Sequence, residues 1–310
     1  MTDRLDLLVL GDVNPDLILT GDVRPAFGQV ERLVDDARLT VGGSAAIAAC
    51  AAARLGLAVG LCGVVGDDPF GRFMHDELVE RGVDVRGLVT DPDRPTGVTV
   101  VLAGREDRAI LTHPGTIGEL TAERIDPQLL DAARHVHVGS FFLQPRLAAD
   151  LSSLFAGVRS RGGTTSLDPN WDPSESWDGG IRDVLAQTDV FLPNAVEARQ
   201  ISGHQELEAA VLVQAQQAAV VVAKAGAEGA VAAEGDRVTR AAARARGEVV
   251  DTTGSGDAFD AGFLASWLAG DGIERALAIG NACGALAARA LGGVDGQPTM
   301  DEVLALIDEG

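Results

Sequence analysis

Short apolar runs alternate with helical patterns along most of this chain. Leu5–Leu10, Ala58–Val65, His135–Val138, Thr164–Leu167, Val190–Leu192 and Ala219–Ala223 are brief, mostly apolar stretches. Runs of this length match buried strands. Helical patterns fill the gaps: Ser44–Leu55, Gly71–Arg81, Arg146–Arg161, Gln205–Gln217, Asp257–Leu268, Ile273–Ala290 and Met300–Asp308. Strands and helices alternating at this spacing predict βαβ units, hence an α/β fold with a central, mostly parallel sheet between helices.

Two segments break the rhythm. In Leu17–Thr40, short β-like runs are joined by Gly and Pro. In Thr96–Thr112, Val98–Leu102 and Ala109–Thr112 flank the polar turn Gly104-Arg105-Glu106-Asp107. Both predict hairpins rather than βαβ units. Together they predict a small β-lid built from about 12–40 and 96–113, within a single domain spanning 1–310. A flap beside a ligand site is a common means of excluding water. Asp168–Trp177, rich in Pro and Trp, is a loop.

Composition narrows the function. The chain is 46% hydrophobic and 23% charged, with 25 Lys plus Arg against 46 Asp plus Glu, a formal charge of −21. No basic run exists to release counterions, which argues against nucleic acid and anionic membrane surfaces. An anionic nucleotide remains compatible, because local backbone donors and Mg²⁺ outweigh a distant field. Cys50, Cys62 and Cys283 lack ligand or redox spacing and are expected as buried, reduced thiols. His135 and His137 alternate with Val136 and Val138, a strand pattern before a metal pattern. The start MTDRLDLLVLGDV lacks a cationic leader, and no stretch reaches about 18 uninterrupted apolar residues, so the expected location is cytoplasmic.

The chemistry concentrates in Asp251-Thr252-Thr253-Gly254-Ser255-Gly256-Asp257-Ala258-Phe259-Asp260-Ala261-Gly262. Gly254 and Gly256 permit a tight turn and close backbone approach to a ligand. The following helix presents unpaired N–H groups at its first turn, which suits an anion. Asp257 stands at the mouth of that anion site. As structure alone it would serve as a helix cap; as chemistry it would accept the proton of an attacking hydroxyl while the turn holds a phosphoryl group. A helix N-terminus lowers its pKa and burial raises it, and the sequence leaves that balance open. No GK[ST] follows the glycines, so no Walker A loop is present. Phe259 stands where a dinucleotide fingerprint needs Gly or Ala, which leaves a nicotinamide oxidoreductase a remote alternative.

Asp251 to Gly262 resembles the C-terminal signature of the ribokinase-like (PfkB) carbohydrate kinases. Gly42-Gly43-Ser44-Ala45-Ala46-Ile47-Ala48 through Ala53-Arg54-Leu55-Gly56 resembles the N-terminal one. Gly11 to Asp16, Gly66 to Gly71, Asp168-Pro169-Asn170, Asn194 to Glu197 and Gly226 to Gly229 match in the same order. The resemblance implies a ribokinase-like three-layer sandwich with a β-lid, and an ATP-dependent kinase acting on a hydroxyl of a small sugar of ribokinase or fructokinase type. It places Asp257 on the catalytic base and Gly254, Ser255 and Gly256 on the anion hole. The acceptor falls to Asn14, Asp16, Gly42, Gly43, Ile47 and Phe141. Asn194, Lys224, Gly226, Gly229 and Asn281 fall to ATP, and Glu197 to Mg²⁺, partly through water. Asp251 and Thr253 resemble a monovalent-cation site, K⁺ in several members. Apolar lid edges often pair in this family, so a homodimer through the lid is a further expectation.

Structural roles compete at several of these positions. Asn194 and Glu197 also match a helix capping box. Asn281 also fits a satisfied core amide, and Phe141-Phe142 also fit the core. Lys224 stands where Thr or Ser is common. Ile47 replaces an acceptor-binding Asn, and with the Phe pair it keeps a nucleoside kinase as an alternative. Asp172 stands where acid-sugar kinases carry an Arg, which disfavours an anionic sugar acid. A non-catalytic small-molecule sensor on the same fold is the alternative from another class.

Overall fold

A computed structural model describes residues 4–104, 108–243 and 248–308. The predicted turn at Arg105-Glu106-Asp107 lies outside the described residues. The chain begins with β1 (Leu5–Leu10), β2 (Asn14–Thr20), β3 (Asp36–Gly42) and α1 (Ser44–Arg54). Next come β4 (Val59–Gly66), α2 (Pro69–Glu80), β5 (Asp84–Asp91), β6 (Val98–Ala103) and β7 (Arg108–His113). The middle holds α3 (Pro127–Ala132), β8 (Ala133–Val138), α4 (Pro145–Ser160), β9 (Thr164–Leu167), α5 (Ile181–Leu185) and β10 (Val190–Phe191). The chain ends with α6 (Ala195–Ser202), α7 (Leu207–Gln214), β11 (Val220–Lys224), β12 (Ala230–Glu234), β13 (Arg237–Ala241), α8 (Ser255–Ala269), α9 (Ile273–Ala287) and α10 (Met300–Asp308).

Among the described residues, nine strands form one sheet in the order β13-β12-β11-β10-β9-β8-β1-β4-β5. Pairings from β11 through β5 are parallel, and the β11-β12-β13 edge is antiparallel. The central strands bury both faces, which is why they are continuous apolar runs in the sequence. Leu8 and Leu10 of β1 pack with α3, α4, α5, α6 and α7 on one face. Leu7 and Val9 pack with α1, α2, α8, α9 and α10 on the other. This is a three-layer α/β sandwich, with helices on both faces of a mostly parallel sheet.

The two interrupting segments form a second sheet, ordered β3-β2-β6-β7. β2 and β3 pair antiparallel, as do β6 and β7, while β2 and β6 run parallel. Alternation along these strands turns Asp16, Ile18, Thr40 and Val101 inward, where all four are buried. Leu17, Leu19, Leu39 and Leu111 face the opposite way.

Glycine sets how closely α8 and α9 approach. A Cβ on Gly262 would lie 2.5 Å from Cys283 Sγ, and one on Gly284 would lie 3.0 Å from the Ser255 carbonyl oxygen. The three cysteines are buried free thiols, and burial pushes each pKa to about 12. His135 bonds Thr164 Oγ1 at 2.7 Å and Ser166 Oγ at 2.6 Å, and His137 bonds Ser166 Oγ at 2.8 Å. Burial holds both imidazoles below their ordinary pKa, His137 at about 4, so both stay neutral within β8. No described helix is long and apolar enough to cross a membrane.

Candidate active site

Most of the candidate residues gather near the carboxyl ends of the parallel strands, where open α/β sheets bind ligands. β1 is flanked by β4 and β8, so the chain reverses its direction of sheet-building there. Asp12 follows β1 and Ser140 follows β8, and Ser140 Oγ donates to Asp12 Oδ2 at 3.1 Å. Asp12 also accepts from the Ser44 and Ala45 amides at 3.0 and 2.9 Å. Those amides open α1, whose preceding residue Gly43 brings no side-chain cap. Asp12 therefore fixes the start of α1, and with it the position of Ser44.

Ser44 Oγ donates a short hydrogen bond to Asp257 Oδ1. Asp257 is the third residue of α8, so it is not the helix cap. The preceding Gly254 is left-handed, with φ 72°, and supplies no side-chain cap. A Cβ there would meet the Gly293 carbonyl oxygen at 2.6 Å, so only glycine allows this bend. Ser255 Oγ is buried without a hydrogen-bond partner, an orphan hydroxyl at the mouth of the helix. Burial raises the Asp257 pKa to about 7, aided by Asp168 and Asp12 and opposed by Ser44 and Lys224. A carboxyl poised there can gain or lose a proton near neutrality.

Asp16 lies in β2, opposite Thr40 of β3 and Thr99 of β6. A Cβ on Gly42 would collide with the Asp16 carboxylate, and one on Gly43 would meet the Asp12 carbonyl oxygen at 2.8 Å. The two glycines thus let the chain pass close to both aspartates. Asn14 Nδ2 reaches Asp16 Oδ1 at 3.4 Å and Thr99 Oγ1 at 3.3 Å. Burial raises the Asp16 pKa to about 7, with Asp12 adding to the shift and Thr99 opposing it. Ile47 and Phe141 differ from these neighbours: they are 3% and 1% exposed and belong to the two cores. Phe141 meets Phe142 edge-on with centroids 5.2 Å apart.

On the other side, Asn194 and Lys224 form a parallel bridge just past β10 and at the end of β11. Lys224 Nζ donates to Asp168 Oδ2 at 2.6 Å and to Asp260 at 3.0 and 2.8 Å. A Cβ on Gly256 would lie 3.7 Å from Nζ, which places the ammonium beside the glycine turn. Burial pushes Asp168 up, yet Lys224 and hydrogen bonds hold it below the usual carboxylate range. Burial drives Asp260 well above its ordinary value. Gly226 and Gly229 have φ of 58° and 96°. Asn281 Nδ2 donates to the Ala241 and Ala242 carbonyl oxygens at 3.1 and 3.3 Å. A Cβ on Gly229 would strike the same Ala241 carbonyl oxygen, so Gly229 and Asn281 converge on one segment.

Glu197 completes a capping box: its Oε2 accepts from Asn194 N at 2.7 Å and Oε1 from Asn194 Nδ2 at 2.5 Å. Burial raises its pKa to about 7, with Asp168 adding and Lys224 opposing. No described group of three His, Cys, Asp or Glu side chains forms a metal cage. A buried Glu with spare lone pairs beside Asp168 nevertheless suits Mg²⁺, which prefers one or two carboxylates plus waters and phosphate oxygens.

Residues 4–300 match the model of the pfkB family carbohydrate kinases. The chain belongs to that family. It is 34% identical over 306 residues to the ATP-dependent ribose-1-phosphate kinase of Halopiger xanaduensis, covering 98% of each chain. It is 32% identical over 314 residues to a fructokinase of Klebsiella pneumoniae, covering 95% of this chain and 97% of that one. Among solved structures, a ribokinase II candidate from E. coli in complex with ATP and Mg²⁺ superposes with a TM-score of 0.87 at 26% identity, over 99% of this chain and 100% of that one. The protein is a sugar kinase of the pfkB type, a phosphotransferase acting on a sugar hydroxyl.

The candidate residues have hydrogen-bonded neighbours that sequence reasoning passed over. Asp12, Ser44, Asp168 and Asp260 were visible only as parts of motifs. Asp260 had a usable signal, since it lies one helical turn after Asp257 on the same face of α8. The expected cation pair, Asp251 and Thr253, is already engaged. Asp251 Oδ1 accepts from Thr253 N at 2.9 Å, Thr253 Oγ1 at 2.8 Å and Arg108 Nη1 at 2.9 Å, and Oδ2 accepts from Gly292 N at 2.9 Å. Asp172 is a loop organiser: its carboxylate accepts from Ser174, Ser176 and the Trp177 amide.

Proposed function

We propose that this kinase transfers the γ-phosphoryl group of ATP to a hydroxyl of a small, uncharged sugar. Asp257 acts as general base, and Gly254-Ser255-Gly256 forms the anion hole. The observation that carries the reading is the placement of the Asp257 carboxyl, with a pKa of about 7, in the uncapped first turn of α8. The sugar O–H proton passes to Asp257. The sugar oxygen bonds phosphorus, and the bond to the ADP oxygen breaks. Asp16 and Asn14 grip other hydroxyls of the acceptor, beside Gly42 and Gly43. The α8 amides, the orphan Ser255 hydroxyl and the nearby Lys224 ammonium meet the charge that spreads over the moving phosphoryl group.

ATP lies along Asn194, Lys224, Gly226, Gly229 and Asn281. Mg²⁺, held through Glu197 and water, neutralises phosphate charge when bound. The whole of 1–310 works as one kinase unit in the cytoplasm. The small sheet, within 12–40 and 96–113, is its lid. Its outward Leu17, Leu19, Leu39, Val100, Leu102 and Leu111 support pairing with a second copy, since Leu111 is 62% exposed.

The nucleoside alternative drew on Ile47 and the Phe141-Phe142 pair; Ile47 and Phe141 are buried in the cores, while the half-buried Phe142 meets Phe141 and Trp177 edge-on. Ile47 and Phe141 offer a base no stacking face, which favours a sugar. An acceptor panel with coupled ADP detection tests this, using ribose, fructose, ribose 1-phosphate, 2-dehydro-3-deoxygluconate and adenosine. Turnover of a neutral sugar supports the reading. Turnover of adenosine alone overturns it, and preference for either anionic sugar overturns the claim of an uncharged acceptor.

A further inference from the structure

The small sheet reaches the glycine turn through one basic side chain. Arg108 opens β7, and its Nη1 donates to Asp251 Oδ1 at 2.9 Å and Thr253 Oγ1 at 2.7 Å. These are the two side chains that the family resemblance implied for a monovalent cation. Asp251 is 10% exposed at its side chain and Arg108 38%, so the pair is partly shielded from solvent. The guanidinium brings the single positive charge that an alkali ion would bring, but it is tied to the chain. An alkali ion on the same oxygens would face like-charge repulsion at contact distance in a shielded site. It would also compete for lone pairs that three protein donors already share on Asp251 Oδ1.

The pair also sets the shape of the turn. Asp251 Oδ2 accepts from the Gly292 amide at 2.9 Å, and the neighbouring Gly293 packs against Gly254. Ile47 fills the remaining side of that contact. Asp251 is thus anchored by Gly292, in the segment between α9 and α10, and by Arg108 from the small sheet. Gly254 follows two residues after Thr252, and its left-handed bend presents the α8 amides. We infer that Arg108 is the built-in cation of this kinase: it replaces a soluble monovalent ion and couples docking of the small sheet to assembly of the turn. This rests on the turn being the anion hole. Arg108 is a positioning residue, acting through Asp251 and Thr253 rather than on the substrates.

The test compares the parent protein with Arg108→Met and Arg108→Lys at constant ionic strength in sodium, potassium, ammonium or tetramethylammonium chloride. Turnover is read with ATP, Mg²⁺ and the best acceptor of the panel, and thermal midpoints are read without substrates. The parent is expected to show no preference among the cations in either measurement. Arg108→Met is expected to lose about 10–100-fold in kcat/KM, as for other groups that orient a reacting shell, and to regain part of it with K⁺ or added guanidinium. Its midpoint should rise in K⁺ relative to Na⁺, and Arg108→Lys should retain most activity. A parent activated severalfold by K⁺ over Na⁺ overturns the inference. So does an Arg108→Met enzyme equal to the parent in every salt. If Arg108→Met does not fold, the cation series on the parent decides. If no acceptor is turned over, the anion-hole reading fails, while the K⁺-specific midpoint shift still tests the cation replacement.

Discussion

Asp257 sits where two opposing effects meet: the start of α8 favours its anion, and burial disfavours it. Burial wins and sets the pKa at about 7. A base must be deprotonated to act, so kcat/KM should rise with pH through about 7 and level off above it, because that ratio reports the free enzyme. The Ser44 hydrogen bond opposes the shift. Ser44→Ala should therefore move the inflection to higher pH, and an unchanged inflection in the variant would show that Ser44 does not tune the base. Sequence made Asp257 visible because a glycine turn and a helix start lie in one short segment. It left Ser44 unassigned because that partner is 213 residues away and only tertiary structure joins them. The same holds for Lys224, whose carboxylate partners come from the loop just after β9 and from α8.

At the scale of elements, the strands and helices that were legible are those buried on a clear face. β1, β9 and α10 fall on the expected boundaries, since apolar runs there end at Gly, Asp or the helix terminus. β5, β12 and β13 were missed. β5 and β13 are edge strands, with mixed sequences such as DVRGLVTD and RVTRA that carry no clean alternation. α7 is shorter than Gln205–Gln217, covering Leu207–Gln214. The α8–α9 contact was not legible at all, because the glycines that permit it show no periodicity. Gly262→Ala would push a methyl group to 2.5 Å from Cys283 Sγ. It should cost about 1–3 kcal/mol of stability, as overpacked cores do, seen as a lower urea midpoint with an unchanged slope. A midpoint equal to the parent's would show that the helices separate freely.

For the whole molecule, a charge of −21 coexists with a phosphate site because the relevant donors are local. Lys224 stands between Asp168 and Asp260 beside the turn, and Arg108 reaches the same turn from the small sheet. The outward apolar face of that sheet predicts a dimer in sedimentation velocity. Leu111→Asp, on a side chain 62% exposed, should shift the protein to monomer without lowering its thermal midpoint. A parent that sediments as a monomer at micromolar concentration would remove the pairing. The central claim is narrower: one aspartate at one glycine turn takes the proton of the sugar hydroxyl. Its most direct test is Asp257→Asn, with turnover and ATP affinity measured on the same preparation. The account predicts a loss of about 10²–10⁴-fold in kcat with ATP binding retained. Undiminished turnover in that variant would contradict it.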